Sequence, residues 1–91
     1  MLNVTTSTKY ESDLKRMKKR GKDLQKLFEV IDLLRKEESL PERYRDHPLR
    51  GNWLGYRECH IEPNWLLIYF INGKELMLVL SRTGSHSDFR F

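Results

Sequence analysis

The chain has 91 residues, 38% of them hydrophobic and 33% charged, with a formal net charge of +4. That length leaves room for a single domain, residues 1–91, with one sheet packed on two helices, and excludes a second core or a deep cofactor cleft. Cys59 stands alone, which rules out an internal disulfide and fits a reducing compartment; no apolar run approaches the roughly 20 residues that span a bilayer, so a cytosolic protein with no membrane partner is expected.

Leu2 to Thr6 is short and partly β-branched and reads as a first strand. Ser7 or Thr8 then caps a helix with Tyr10, Leu14 and Met17 as its apolar stripe, and Gly21 ends it. Lys15, Arg16, Lys18, Lys19, Arg20 and Lys22 crowd this helix; such a run is either a solvated face or an anchor for phosphate. A second helix carries Leu24, Leu27, Phe28, Ile31 and Leu34 on one face and closes at Glu37-Glu38-Ser39. Residues 39–52, punctuated by Pro41, Pro48 and Gly51, read as a loop, and loops of this length in small domains tend to carry function. This one holds His47 with Arg43, Arg45 and Arg50.

The remainder reads as strands: Trp53 to Ile61, a turn at Glu62-Pro63-Asn64, then Trp65 to Ile71, apolar throughout and therefore central. Asn72-Gly73 signals a tight hairpin, and Glu75 to Arg82 returns antiparallel. The expected fold is α+β, order β-α-α-β-β-β, an antiparallel sheet with two N-terminal helices on one face and the other face partly open.

The three histidines sit in Asp46-His47-Pro48-Leu49, Glu58-Cys59-His60-Ile61-Glu62-Pro63-Asn64 and Arg82-Thr83-Gly84-Ser85-His86, none within an apolar run. Imidazole exchanges protons near neutral pH, so a small basic chain that places its histidines this way points to acid–base catalysis on an anionic polymer, RNA foremost. Strand alternation puts Tyr56, Glu58 and His60 on one side and Arg57, Cys59 and Ile61 on the other. With Cys59 and Ile61 toward the helices, Glu58 and His60 line the open face. Singly, each has a plainer explanation: Glu58 and His60 as a surface pair, His47 and His86 as loop residues. The catalytic reading rests on all three together.

Arg82 ends the last strand, where it either clamps a phosphate and stabilises a phosphorane or, sharing parity with Leu76, Leu78 and Leu80, covers apolar surface. Phe89 and Phe91 either stack on unpaired bases or pin the tail to the core. No metal or other cofactor is expected: no histidine or cysteine pair has zinc-site spacing, Cys59 and His60 point to opposite faces, and no glycine-rich phosphate loop is present. A core-directed Cys59 is no nucleophile.

Asp46-His47-Pro48-Leu49-Arg50-Gly51-Asn52-Trp53, Gly55-Tyr56-Arg57-Glu58-Cys59-His60-Ile61-Glu62-Pro63, Leu67-Ile68-Tyr69 and Arg82-Thr83-Gly84-Ser85-His86-Ser87, in that order, resemble the YafQ-type branch of the RelE/ParE toxin superfamily. The resemblance implies a microbial-RNase-like (RelE-like) sheet and a bacterial type II toxin, a ribosome-dependent mRNA endonuclease neutralised by a DinJ/RelB-like antitoxin. It implies that His86 is the general acid, that His47 and His60 belong to the acid–base cluster, and that Glu58 matches a position often Asp or Glu. The residue after the proline is commonly Asp in this family; here it is Asn64, which holds a ribose hydroxyl or phosphate but accepts no proton as a base.

The mechanism expected is metal-free cleavage: His60 or His47, with Glu58 behind it, takes the 2′-hydroxyl proton, Arg82 stabilises the phosphorane and His86 protonates the leaving 5′-oxygen. Lys15, Lys18 and Lys19 with their cationic neighbours anchor ribosomal RNA on the 70S ribosome; neutralising about five phosphates implies a log-affinity against log-salt slope of about −3.5 to −4.5. Two rival readings are a non-catalytic module that binds RNA or antitoxin, and a ParE-like gyrase poison, against which the histidine cluster argues.

Overall fold

The helices begin and end where short-range chemistry dictates. In the structure, a computed structural model that describes residues 1–89, helix α1 spans Thr8–Lys19 and α2 spans Leu24–Arg35. Ser7 caps α1, its hydroxyl accepting from the Tyr10 N–H at 2.9 Å, and Asp23 caps α2 through the Gln25 N–H. At the end of α1, Gly21 adopts φ +79°, and the Gly21 and Lys22 N–H groups return to the Lys18 and Met17 carbonyls.

Five strands follow the order β1-β5-β4-β3-β2, from β1 (Asn3–Thr6), β2 (His47–Pro48), β3 (Arg57–Glu62), β4 (Trp65–Asn72) and β5 (Met77–Gly84). All pairings are antiparallel except β1 with β5, which is parallel. A single helical turn, α3 (His86–Phe89), follows β5. The α+β order expected from the sequence holds, with β2 and α3 added.

Tyr10 and Met17 from α1 and Leu27, Val30 and Leu34 from α2 pack on Cys59, Ile61, Trp65, Leu67, Tyr69, Leu78 and Leu80 of the sheet. Burial of this face supplies most of the driving force for folding. Phe28, expected on the apolar stripe of α2, is 44% exposed, and Val30 takes its place, because the contact line runs through 27, 30 and 34. The polar atoms of Trp65 and Thr83 are paired within this core: the Trp65 indole donates to Thr83 Oγ1 at 2.9 Å, which donates to the Leu66 carbonyl at 2.8 Å.

The two-residue hairpin expected at Asn72-Gly73 is a longer turn. The Asn72 side chain accepts from the Lys74 and Glu75 N–H groups, and Leu76 takes φ +53° before β5 begins. The expected strand from Trp53 starts at Arg57, because residues 51–53 form a 3₁₀ turn. The face away from α1 and α2 is partly covered by Leu66, Ile68 and Phe89 with Leu49, Trp53 and Tyr56. Phe89 thus pins the tail rather than offering an exposed stacking surface; Phe91 lies outside the described residues. Among the described residues, no helix is long and apolar enough to cross a membrane.

Candidate active site

Cross-strand register builds the site. His47 pairs with Glu58, Glu58 with Ile68 and Ile68 with Arg82, so one row runs across β2, β3, β4 and β5; His60, Leu66 and Gly84 form the next. Side chains opposite one another share a face, so Glu58, His60 and Arg82 lie on the side that α1 and α2 leave free. Cys59 and Ile61 point into the helix-side core, as strand alternation requires. Two residues of pairing in β2 carry His47 to Glu58, within the segment read as a loop.

The rings gather. His47 and His60 have centroids 6.3 Å apart, and His60 and His86 5.7 Å. Glu58, only 5% exposed, presents Oε1 3.2 Å from His60 Nε2 and 4.0 Å from His47 Nε2. His60 Nδ1 faces the Pro63 carbonyl at 3.3 Å, so both of its ring nitrogens look at oxygen atoms. His47 differs: its Nδ1 lies 2.6 Å from the Arg45 carbonyl, a contact that requires a proton on Nδ1 and leaves the Nε2 lone pair facing the site in the neutral ring. His86 is exposed, with Nδ1 and the backbone N–H each 3.4 Å from Asn64 Oδ1. Asn64 therefore reaches toward His86, a role its sequence position did not suggest.

Arg82 does not lie as parity implied. β5 carries an extra residue, Ser81, between the Leu80–Tyr69 and Arg82–Ile68 pairs, and this bulge turns Arg82 away from the face of Leu78 and Leu80. Its Nε and Nη2 donate to Asp13 at 2.7 and 3.1 Å, and the guanidinium lies 5.0 Å from the Phe89 ring centre. A freely available phosphate clamp is thus corrected to a cation already paired with a carboxylate only 2% exposed. The same Asp13 accepts from the Thr83 N–H and from Arg16, which explains why an acid occupies the buried stripe of α1.

The basic run divides in the same way. Arg16 pairs with Asp13, Arg20 with Asp88, and Lys22 with Glu62, while Lys15, Lys18 and Lys19 are exposed and form no ion pair among the described residues. Arg20 donates twice to Asp88, at 2.8 and 3.0 Å, and holds that carboxyl far below its usual range; the Ser85 N–H adds to the effect. This tie fastens α3, and with it His86, to the end of α1. Gly84 is required there, since a Cβ would meet Asp88 Oδ2 at 2.7 Å.

Burial pushes the Cys59 thiol well up, with Asp46 and Glu58 adding to the effect, so it is no nucleophile at neutral pH. A metal-ligand set does exist in the geometry: ligand atoms of Glu58, His60 and His86 lie within 4.8 Å of one another. Spacing along the chain could not reveal it, because the ligands come from β3 and α3.

A sequence model described as "Bacterial toxin of type II toxin-antitoxin system, YafQ" matches residues 2–90. The chain is 43% identical over 86 residues to the mRNA interferase toxin YafQ of Escherichia coli (strain K12), covering 93% of this chain and 91% of that one. A metal-bound toxin from Helicobacter pylori superposes with a TM-score of 0.93 at 45% identity, covering 98% of this chain and 99% of the other. A chain in the E. coli DinJ-YafQ toxin-antitoxin complex gives 0.87 at 42% identity, with coverage of 97% and 96%.

Proposed function

The chain belongs to the YafQ family of bacterial type II toxins, and from that membership we propose how its three imidazoles cut RNA. It is an mRNA interferase, an endoribonuclease, and its partner is a DinJ-type antitoxin. Membership in this branch removes the ParE-like gyrase reading. The substrate is mRNA held in the ribosomal A site, and the reaction is in-line attack of the 2′-oxygen on the adjacent phosphorus.

The observation that carries this reading is the gathering of His47, His60 and His86 around the buried Glu58. His47, with its proton on Nδ1 and a bare Nε2, removes the 2′-hydroxyl proton. The new O–P bond forms as the P–O5′ bond breaks. His60, held in place between Glu58 and the Pro63 carbonyl, faces the phosphorane and stabilises its charge. Arg82, ion-paired with Asp13 and resting on Phe89, closes the far end of the row. His86, on the exposed rim beside Asn64, gives its proton to the departing 5′-oxygen. The products are a 2′,3′-cyclic phosphate and a 5′-hydroxyl. Each acid–base group supplies about 10²–10⁴-fold.

Glu58, His60 and His86 also fit a divalent transition-metal ion, an arrangement of one carboxylate and two imidazoles. Such an ion would bind ring nitrogens of His60 and His86 and so compete with the proton that His86 delivers. Lys15, Lys18 and Lys19 face outward from α1 as the contact to ribosomal RNA.

Mapping transcript ends in a translating extract tests the proposal. Added protein should create new 5′-hydroxyl ends within codons on the ribosome and none on naked RNA. Tight RNA binding without new ends would establish the non-catalytic reading instead.

A further inference from the structure

We propose that Asp46 is a positioning residue for His47, acting from the opposite face of the sheet; this rests on the catalytic reading of His47 above. β2 is only two residues long and lies at the sheet edge, so backbone pairing alone gives His47 little support. Asp46 precedes it and points the other way. There the Tyr69 hydroxyl donates to Asp46 Oδ1 at 2.6 Å, and Arg57 donates through Nε and Nη2 at 3.3 and 3.4 Å. Arg57 and Tyr69 are themselves cross-strand partners on β3 and β4. The carboxylate therefore ties the edge segment to the two inner strands, directly behind the row that holds His47, Glu58 and Ile68.

This anchor fixes the catalytic ring through the backbone. Arg45, just before Asp46, takes φ +50°, a costly geometry for a side-chain-bearing residue, and its carbonyl is the acceptor for His47 Nδ1. Releasing Asp46 frees the Arg45 carbonyl to turn away, and with it the contact that selects the His47 tautomer. Tyr69 is buried, and burial and the Asp46 contact both hold its proton in place, so the donor persists across any pH at which the toxin works. No other role in the mechanism requires Asp46, Arg57 or Tyr69.

The test uses the full chain with Tyr69→Phe and, separately, Asp46→Asn. Long-range nitrogen–proton NMR of the imidazoles reads the His47 tautomer, and single-turnover cleavage of ribosome-bound mRNA reads the chemistry. Wild type should show the Nδ1–H form. Both variants should show a mixture of tautomers and cleave about 10–100-fold more slowly, with the half-saturating ribosome concentration unchanged. Unaltered His47 signals and an unaltered rate in both variants, even with a lower melting temperature, would overturn the proposal. Tyr69→Phe keeps the carboxylate and serves if Asp46→Asn fails to fold. A wild-type protein that cleaves nothing would sink the catalytic reading while leaving the ring spectra to decide the anchor.

Discussion

The two faces of the sheet are built from the same strands and do opposite work. Against α1 and α2, Cys59, Leu67, Tyr69 and Leu78 meet Leu27, Val30 and Met17 in an apolar layer. On the other side Glu58 and His60 meet His47 and His86, with Arg82 in the same row, over a smaller apolar floor of Leu66, Ile68 and Phe89. Alternation along a strand makes this possible: each residue of stabilising carbon aims its neighbour into the site. The helix face can thus be optimised for packing while its reverse concentrates titratable groups that a core would exclude.

The sharpest contrast comes from one substitution on each side. His86→Ala should lower cleavage by at least about 100-fold while changing stability by less than about 0.5 kcal/mol, measured by single-turnover kinetics and denaturant unfolding. Leu27→Ala should do the reverse, costing about 2–5 kcal/mol of stability with an unchanged rate per folded molecule at low temperature. If Leu27→Ala slows the folded enzyme as much as His86→Ala does, the division between faces fails.

Alkaline pH sharpens the comparison from the packing side. Burial, with a smaller contribution from Glu11, raises the Tyr10 hydroxyl from 10.0 to about 12. A folded-state value above the unfolded one means the protonated form is favoured by folding, so the contribution is intact below pH 10 and lost as pH rises through about 12. Urea midpoints should fall across that window, and Tyr10→Phe should flatten the decline. An equal decline in Tyr10→Phe would show that the phenol is not responsible.

The smallest effect belongs to the exposed cations. With Arg16, Arg20 and Lys22 engaged by acids, the salt slope should reflect Lys15, Lys18 and Lys19 more than the whole run. Replacing those three with Ala should reduce the slope of log affinity against log salt by about 2–3. An unchanged slope would move the ribosomal contact elsewhere on the molecule.

What the sequence made legible follows from range. Both helices, the cap and stop of the first, and the central strand could be read because period, Ser7 and Gly21 act within a turn or two of themselves. The alternation of Glu58 and His60 against Cys59 and Ile61 could be read for the same reason. β2 could not, since two residues, one of them Pro48, carry no period. The Ser81 bulge leaves no mark in the sequence, and without it the parity of Arg82 comes out reversed. Asp13, Asp88 and Glu62 lie 69, 68 and 40 positions from the cations Arg82, Arg20 and Lys22, so Arg82 and two members of the basic run looked free until the fold closed. That Asn64 lies beside His86 could not be read either, because nothing local brings the two together.

Cleavage of ribosome-bound mRNA carrying a single 2′-deoxyribose on the 5′ side of the scissile phosphate tests the central claim most directly. In-line attack requires the hydroxyl that this substitution removes, so the modified message should stay intact while its all-ribose twin is cut. Cutting of both at similar rates would contradict in-line attack by the 2′-oxygen, and with it the proton transfer assigned to His47.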